Sequence, residues 1–190
     1  YYLGSVYRDM NKLPAALEAY HKAMDYAKAC ADERLMGRVY NGMAYIYQQQ
    51  SMLLKADSLY ADAETIAAKV NDSLTLANVL IRRAMYQISL GKEHYSDATT
   101  ELLRAYSMAK QLHNLQVQGN AAITLSMLYT RMEQPEKAMH YARQNYHLPQ
   151  IDSTSMARAA LLLGEAHYKL CSYDSAVHYL KQCLLVTDNN

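Results

Sequence analysis

The spacing Ala-x3-Tyr-x2-Ala occurs at Ala16/Tyr20/Ala23 and returns at Ala56/Tyr60/Ala63, with degenerate copies at Ala98/Leu102/Ala105, Ala138/Ala142/Asn145 and Ala176/Leu180/Cys183. The first alanines stand 40, 42, 40 and 38 residues apart. Self-similarity at such intervals means stacked helical hairpins, because one hairpin cannot bury its apolar face alone. Twelve residues before the first alanine of four copies stands a second small residue, at Gly4, Ala44, Ser126 and Gly164. Two helices are expected to approach closely there. In the third copy the equivalent Ala84 lies fourteen residues before Ala98, so two extra residues are expected in the loop that begins at Gly91.

Composition narrows the remaining classes. Apolar residues make up 51% of the chain and mean hydropathy is −0.28. The most apolar runs, Ala121 to Tyr129 and Ala157 to Gly164, are far shorter than the roughly 20 residues that span a bilayer, which predicts a soluble segment with no membrane span. A net charge of +1 supplies no global field for nucleic acid or an anionic membrane, so electrostatic selectivity must be local. Cys30, Cys171 and Cys183 lack Cys-x2-Cys spacing and cannot all pair internally, which leaves the compartment undetermined. Three prolines and six glycines form no linker that would divide the 190 residues.

Bulky residues flank the small one at helical spacing, as in Tyr40-x2-Met43-Ala44-x2-Tyr47. Asn11 with Pro14, Ser51, Gly91, Gln134-Pro135 and Ser172 with Asp174 break the pattern between helices, and the prolines suit a first helical turn. Asp32, Asp72 and Asp152 are placed to cap the helices that follow. Helices are predicted at about 1–10, 13–30, 33–50, 53–70, 73–91, 95–113, 115–132, 135–148, 153–171 and 173–187. The chain has 18 Tyr and no Phe or Trp. Tyr20, Tyr47, Tyr60, Tyr129 and Tyr168 therefore read as packing residues that keep their hydroxyls at an edge.

Small-x2-Tyr, the turn and Ala-x3-aromatic-x2-Ala together resemble the tetratricopeptide repeat across essentially the whole chain. The tryptophan-like first position holds Tyr40, Leu80, Ala122 and Ala160, the loop glycine is present only as Gly91, and the closing proline is absent. The period of about 40 exceeds the ordinary 34, adding roughly 9 Å of helix per unit. Long units of this kind are similar to those of kinesin light chains, peptide-pheromone receptors and the sensor regions of Bacteroidetes-type regulators. The resemblance implies an all-α, right-handed α-solenoid of five antiparallel helix pairs. It implies a single domain over 1–190, with units at about 1–31, 32–71, 72–113, 114–150 and 151–190.

In that family the first helix of each pair lines a concave groove. The register places Arg38, Asn41, Tyr45 and Gln48 there from the second unit, and Asn78, Arg82 and Met85 from the third. The fourth gives Asn120, Thr124, Met127 and Arg131, and the fifth Arg158, Leu162, Glu165 and Lys169. Five cations against one carboxylate imply a locally basic groove suited to an acidic protein segment or an extended peptide, since guanidinium holds carboxylates and amides pair with peptide groups. These residues read equally as solvated faces, with the contact elsewhere. The family's carboxylate clamp is missing: Tyr1, Ser5 and Gly42 occupy clamp positions, although Arg82 matches a distal one.

Catalytic and metal signatures are not found. Glu133, Glu136 and His140 share a helix start and His140 and His147 a face, without His-Glu-x2-His. His167 sits at a consensus aromatic position and reads as a packed, hydrogen-bonded core residue, while His178 and Lys181 read as solvated. With no phosphate loop, nucleophile elbow or cysteine signature, the expectation is a noncatalytic protein without cofactor or metal. Arg82-Arg83 is the only adjacent basic pair, so no direct nucleic-acid contact is expected.

Tyr1-Tyr2-Leu3-Gly4 falls inside a helix, and the last helix presents Leu180, Leu184, Leu185 and Val186. These ends predict a fragment of a longer protein, or surfaces for a homodimer. The reading is a protein- or peptide-binding sensor or scaffold region of a larger bacterial signalling or regulatory protein, periplasmic or cytoplasmic. The alternative is an assembly module without a groove ligand.

Overall fold

A computed structural model describes residues 1–149 and 152–188, the side chains of 187 and 188 excepted. The unit boundary expected at 150/151 and the closing Asn189 and Asn190 lie outside the described residues. Ten α-helices and no strand occur among those described: α1 Tyr2–Asp9, α2 Leu13–Ala29, α3 Glu33–Gln49, α4 Leu53–Lys69, α5 Ser73–Leu90, α6 Tyr95–Gln111, α7 Leu115–Arg131, α8 Pro135–Tyr146, α9 Ser153–Lys169 and α10 Tyr173–Asp188. Each falls within two residues of its predicted span. The two extra residues of the third copy are absorbed by Gly91, at φ 139°, and a 3-10 turn over Lys92–His94, which confines the insertion to the loop.

Residues Tyr1–Tyr86 form one compact body, in which α1 packs on α2, α2 on α3 and α3 on α4. Tyr20 is fully buried between α1 and α3. Its ring leaves no room for a side chain at Gly4 or Gly42, where a Cβ would stand 2.7 Å and 2.6 Å from ring carbons. Ala16, Ala23, Ala56 and Ala63 pack in the same core with Val39, Ile46, Tyr60 and Val79. Each fully buried large side chain contributes about 1.5–3 kcal/mol of apolar burial.

From Gln87 onward the residues form a second body, with α6 on α7, α7 on α8, α8 on α9 and α9 on α10. The repeat's small-residue contacts recur here. Ser126 donates its hydroxyl to Ala138 O at 2.8 Å, and a Cβ on Gly164 would stand 2.6 Å from Leu180 Cγ. Helix α8 has 12 residues where α2, α4 and α6 have 17.

Asp32, Asp72 and Asp152 accept hydrogen bonds from the N–H groups of Leu35, Thr75 and Ser155, as expected for caps. Asn114 caps α7 in the same way through Val117 N–H. Asn11, Ala31, Ser51, Asn71, His113, Glu133 and Cys171 each close a turn at φ between 52° and 59°. In every one of these turns the next residue's N–H reaches back to a carbonyl of the preceding helix, as Lys12 does to Tyr7 O at 2.8 Å and Ser172 to His167 O at 2.9 Å. Of the expected packing tyrosines, Tyr20, Tyr47, Tyr60 and Tyr129 are buried. Tyr168 is not: its ring is 64% exposed and meets Tyr173 edge-on, because it sits one residue past the buried face of α9.

Candidate functional site

In the first body the expected groove residues surround Tyr45. The Arg82 guanidinium lies 4.3 Å from the centre of the Tyr45 ring, and that of Arg8 lies 5.7 Å from it. Arg8 spends its Nε and Nη2 on Asp9 Oδ1, at 2.9 and 2.8 Å. Arg82 is partly buried. Desolvation pushes its pKa down, with the like charge of Arg8 in the same direction and the neighbouring tyrosines opposing. An arginine nonetheless stays charged at neutral pH. Beneath this pair Tyr60 donates its hydroxyl to Gln48 Oε1 at 2.7 Å, and burial raises the Tyr60 phenol well above its ordinary value. Ser5 Oγ and the Tyr20 hydroxyl lie 3.1 Å apart. Two guanidinium groups thus share one aromatic ring, while the phenols below them stay neutral.

Arg8 escaped the sequence reading although its register was legible. It stands four residues beyond Gly4, as Gln48 stands four beyond Ala44.

Two other expected groove residues, Arg38 and Asn78, bond within the fold. Arg38 reaches Asp72 Oδ2 from Nε at 3.2 Å and Nη2 at 3.1 Å, tying α3 to the cap of α5. Burial of Asp72 opposes its charge, but hydrogen bonds from Thr75 N–H and hydroxyl, with Arg38, hold the carboxyl below the usual range. Asn78 donates Nδ2 to Leu74 O in its own helix. Asn41 is half-buried and its Oδ1 has no partner. Met85 is exposed.

In the second body Asn120, Met127, Arg131 and Arg158 are exposed, as are Glu165 and Lys169. Thr124 is buried and donates its hydroxyl to Asn120 O at 2.8 Å, so it presents nothing to a ligand. Leu162 is likewise buried, in contact with the core beside Ile123 and Leu163. Both corrections have one cause: the inner face of α7 and α9 is wider than a strict repeat register allows, since neighbouring helices cover it from two sides.

Arg131 borders a cavity of about 570 Å³ together with Lys92 and Lys137, with Glu133 its single lining carboxylate. Lys137 Nζ lies 5.3 Å from the Tyr129 ring centre. His167 stacks on Tyr179 at 5.4 Å, and its two buried ring nitrogens find no hydrogen-bond partner, contrary to the expected hydrogen-bonded histidine. Burial, with the Arg143 charge, lowers its pKa and favours the neutral ring. Among the described residues no three His, Cys, Asp or Glu side chains converge as a metal would require, and no helix is long and apolar enough to cross a membrane.

No protein-family model and no curated protein matches the sequence. Solved structures do resemble the fold. BtubC (BKLC) from P. vanneervenii superposes with a TM-score of 0.80 at 18% identity, covering 98% of this chain and 78% of that one. A kinesin light chain protein from Podosopora anserina with nearly identical TPR-like repeats gives 0.69 at 15% identity, covering 98% and 92%. MamA gives 0.65 at 18%, covering 98% and 95%. With the paired helices and recurrent small-residue contacts, these likenesses show that the chain has the fold of the TPR-like helical-repeat solenoids.

Proposed function

We propose that the chain is a noncatalytic protein- or peptide-binding module whose ligand carries acidic groups. The supporting observation is the pair of guanidiniums at Tyr45. Among the described residues Arg82 faces tyrosines, with the Tyr45 ring at 4.3 Å, and Arg8 as a like charge, so a carboxylate arriving there gains a charge-assisted contact. In this reading residues 1–190 act as one repeat domain, the sensor or scaffold region of a larger bacterial signalling or regulatory protein.

Titration of a glutamate-rich peptide tests the proposal. Arg82→Ala is expected to weaken binding about tenfold, the size of one hydrogen-bonded charge contact, and Arg131→Ala to weaken it less. Unchanged affinity in both variants would remove the acidic-ligand reading.

A second reading, an assembly module with no groove ligand, draws on exposed apolar side chains. Tyr2, Leu3 and Val6 on α1 and Leu184 and Leu185 on α10 are all more than half exposed. A monomer in sedimentation at high concentration would count against it.

A further inference from the structure

Asn145 breaks the repeat at a buried position. The third signature position is Ala23, Ala63 and Ala105 in the first three copies, each buried. Asn145 is only 1% exposed at that same position, and its Oδ1 has no hydrogen-bond partner. Its Nδ2 reaches Ser155 O at a long 3.4 Å, which orients the amide so that the oxygen is the orphan. A buried carbonyl left in this way is unfavourable, and an alanine would avoid it.

The facing helix breaks a rule at the same spot. Gly119 lies inside α7, where glycine is a poor choice, and a Cβ there would stand 2.5 Å from Asn145 Oδ1. Gly119 therefore leaves the room that this oxygen occupies. Gly119 and Asn145 both line a cavity of about 330 Å³, within the range of small-molecule sites. Its origin lies in the short α8, which ends at Tyr146 and lacks the last turn that the 17-residue helices possess.

The lining chemistry selects one kind of occupant. Asp152 borders the cavity, its Oδ1 accepting from Ser155 N–H at 2.8 Å and its Oδ2 from Ser155 Oγ at 2.7 Å. Those bonds hold its carboxyl below the usual range, so it is ionised at neutral pH. Asn120 adds an exposed amide. Among the described residues no Lys, Arg or His lines the cavity. An orphan acceptor and a carboxylate meet there around Ser155 with no cation to answer them.

We propose that this cavity binds a primary ammonium or guanidinium group, with Asn145 Oδ1 as the buried acceptor and Asp152 as the countercharge. The site shares Asn120 with the expected groove but does not depend on the acidic-ligand proposal, since Arg82 and Tyr45 take no part in it.

The test is an NMR titration of the 15N-labelled chain with n-butylammonium and with agmatine. Saturable shifts are expected for the Asn145 side-chain amide, Gly119 and Ser155. Tetramethylammonium, which carries no N–H, should bind at least about tenfold more weakly, the loss of a charge-assisted hydrogen bond. Asn145→Ala should keep a melting midpoint at or above that of the wild type and bind n-butylammonium at least about tenfold more weakly. Asp152→Asn retains a capping side chain and should also weaken binding about tenfold through loss of the charge. A capped Ala-Lys-Ala peptide binding more tightly than n-butylammonium would assign the group to a protein side chain, and the reverse to a free amine. No saturable shift with either probe, equal binding of tetramethylammonium, or wild-type affinity in both variants would overturn the proposal.

Discussion

Ser51 and Cys171 close their turns in the left-handed region, at φ 59° and 58°, which costs an L-residue roughly 1–2 kcal/mol that glycine avoids. Glycine returns part of this through its greater freedom when unfolded. Ser51→Gly and Cys171→Gly are therefore each expected to raise stability by about 0.5–1 kcal/mol in chemical denaturation, and a loss in both would contradict the turn geometry. A glycine at these turns would thus have a physical meaning even where this sequence lacks it. His167 makes the opposite trade, keeping a polar ring where two buried nitrogens have no partner. Because its folded pKa lies below the unfolded value, the unfolded chain protonates first as pH falls. Its contribution is present above about pH 6.5 and is lost as pH falls through the folded pKa. His167→Phe should flatten this part of the stability profile and raise the melting midpoint below that pH. A profile identical to wild type would show that the ring is not protected from protonation.

Helix ends in this chain were legible because capping is local chemistry. An aspartate followed three residues later by the N–H it accepts needs nothing from the rest of the fold, and Asp32, Asp72 and Asp152 behave as expected. The pairing of Arg38 was not legible for the converse reason, since its partner Asp72 lies 34 residues away and caps another helix. The two observations together make Asp72 the most exacting cap in the first body. Asp72→Asn keeps an acceptor for Thr75 N–H but loses the ion pair, whereas Asp72→Ala leaves the N–H groups and the Arg38 guanidinium without an acceptor. Denaturation should show a loss of about 2–3 kcal/mol for alanine and a smaller one for asparagine. The carboxyl's folded pKa lies below its unfolded value, so its stabilising effect is full above about pH 4 and disappears as pH falls through the folded pKa. If the alanine and asparagine variants prove equally stable, the ion pair and the cap contribute nothing separable.

A net charge of +1 over 190 residues leaves the protein with little field at a distance, so whatever it selects by charge is selected at contact. The affinity of a glutamate-rich peptide should fall as salt is raised, while its association rate changes little, because screening weakens the contact at Arg8 and Arg82 and there is no long-range steering to lose. A steep salt dependence of the association rate would place the attraction elsewhere on the surface. Helix number, turn positions, caps and the close approaches at Gly4, Gly164 and Ser126 followed from the sequence alone, since periodicity and small-residue spacing are properties of neighbours along the chain. Tertiary structure decided which side chains remain available. It paired Arg38, covered Thr124 and Leu162, brought Arg8 to the ring that Arg82 also faces, and left the oxygen of Asn145 unanswered at a position that repeat logic reserves for alanine. Burial and pairing depend on side chains that arrive from other helices, and no interval between residues encodes that meeting.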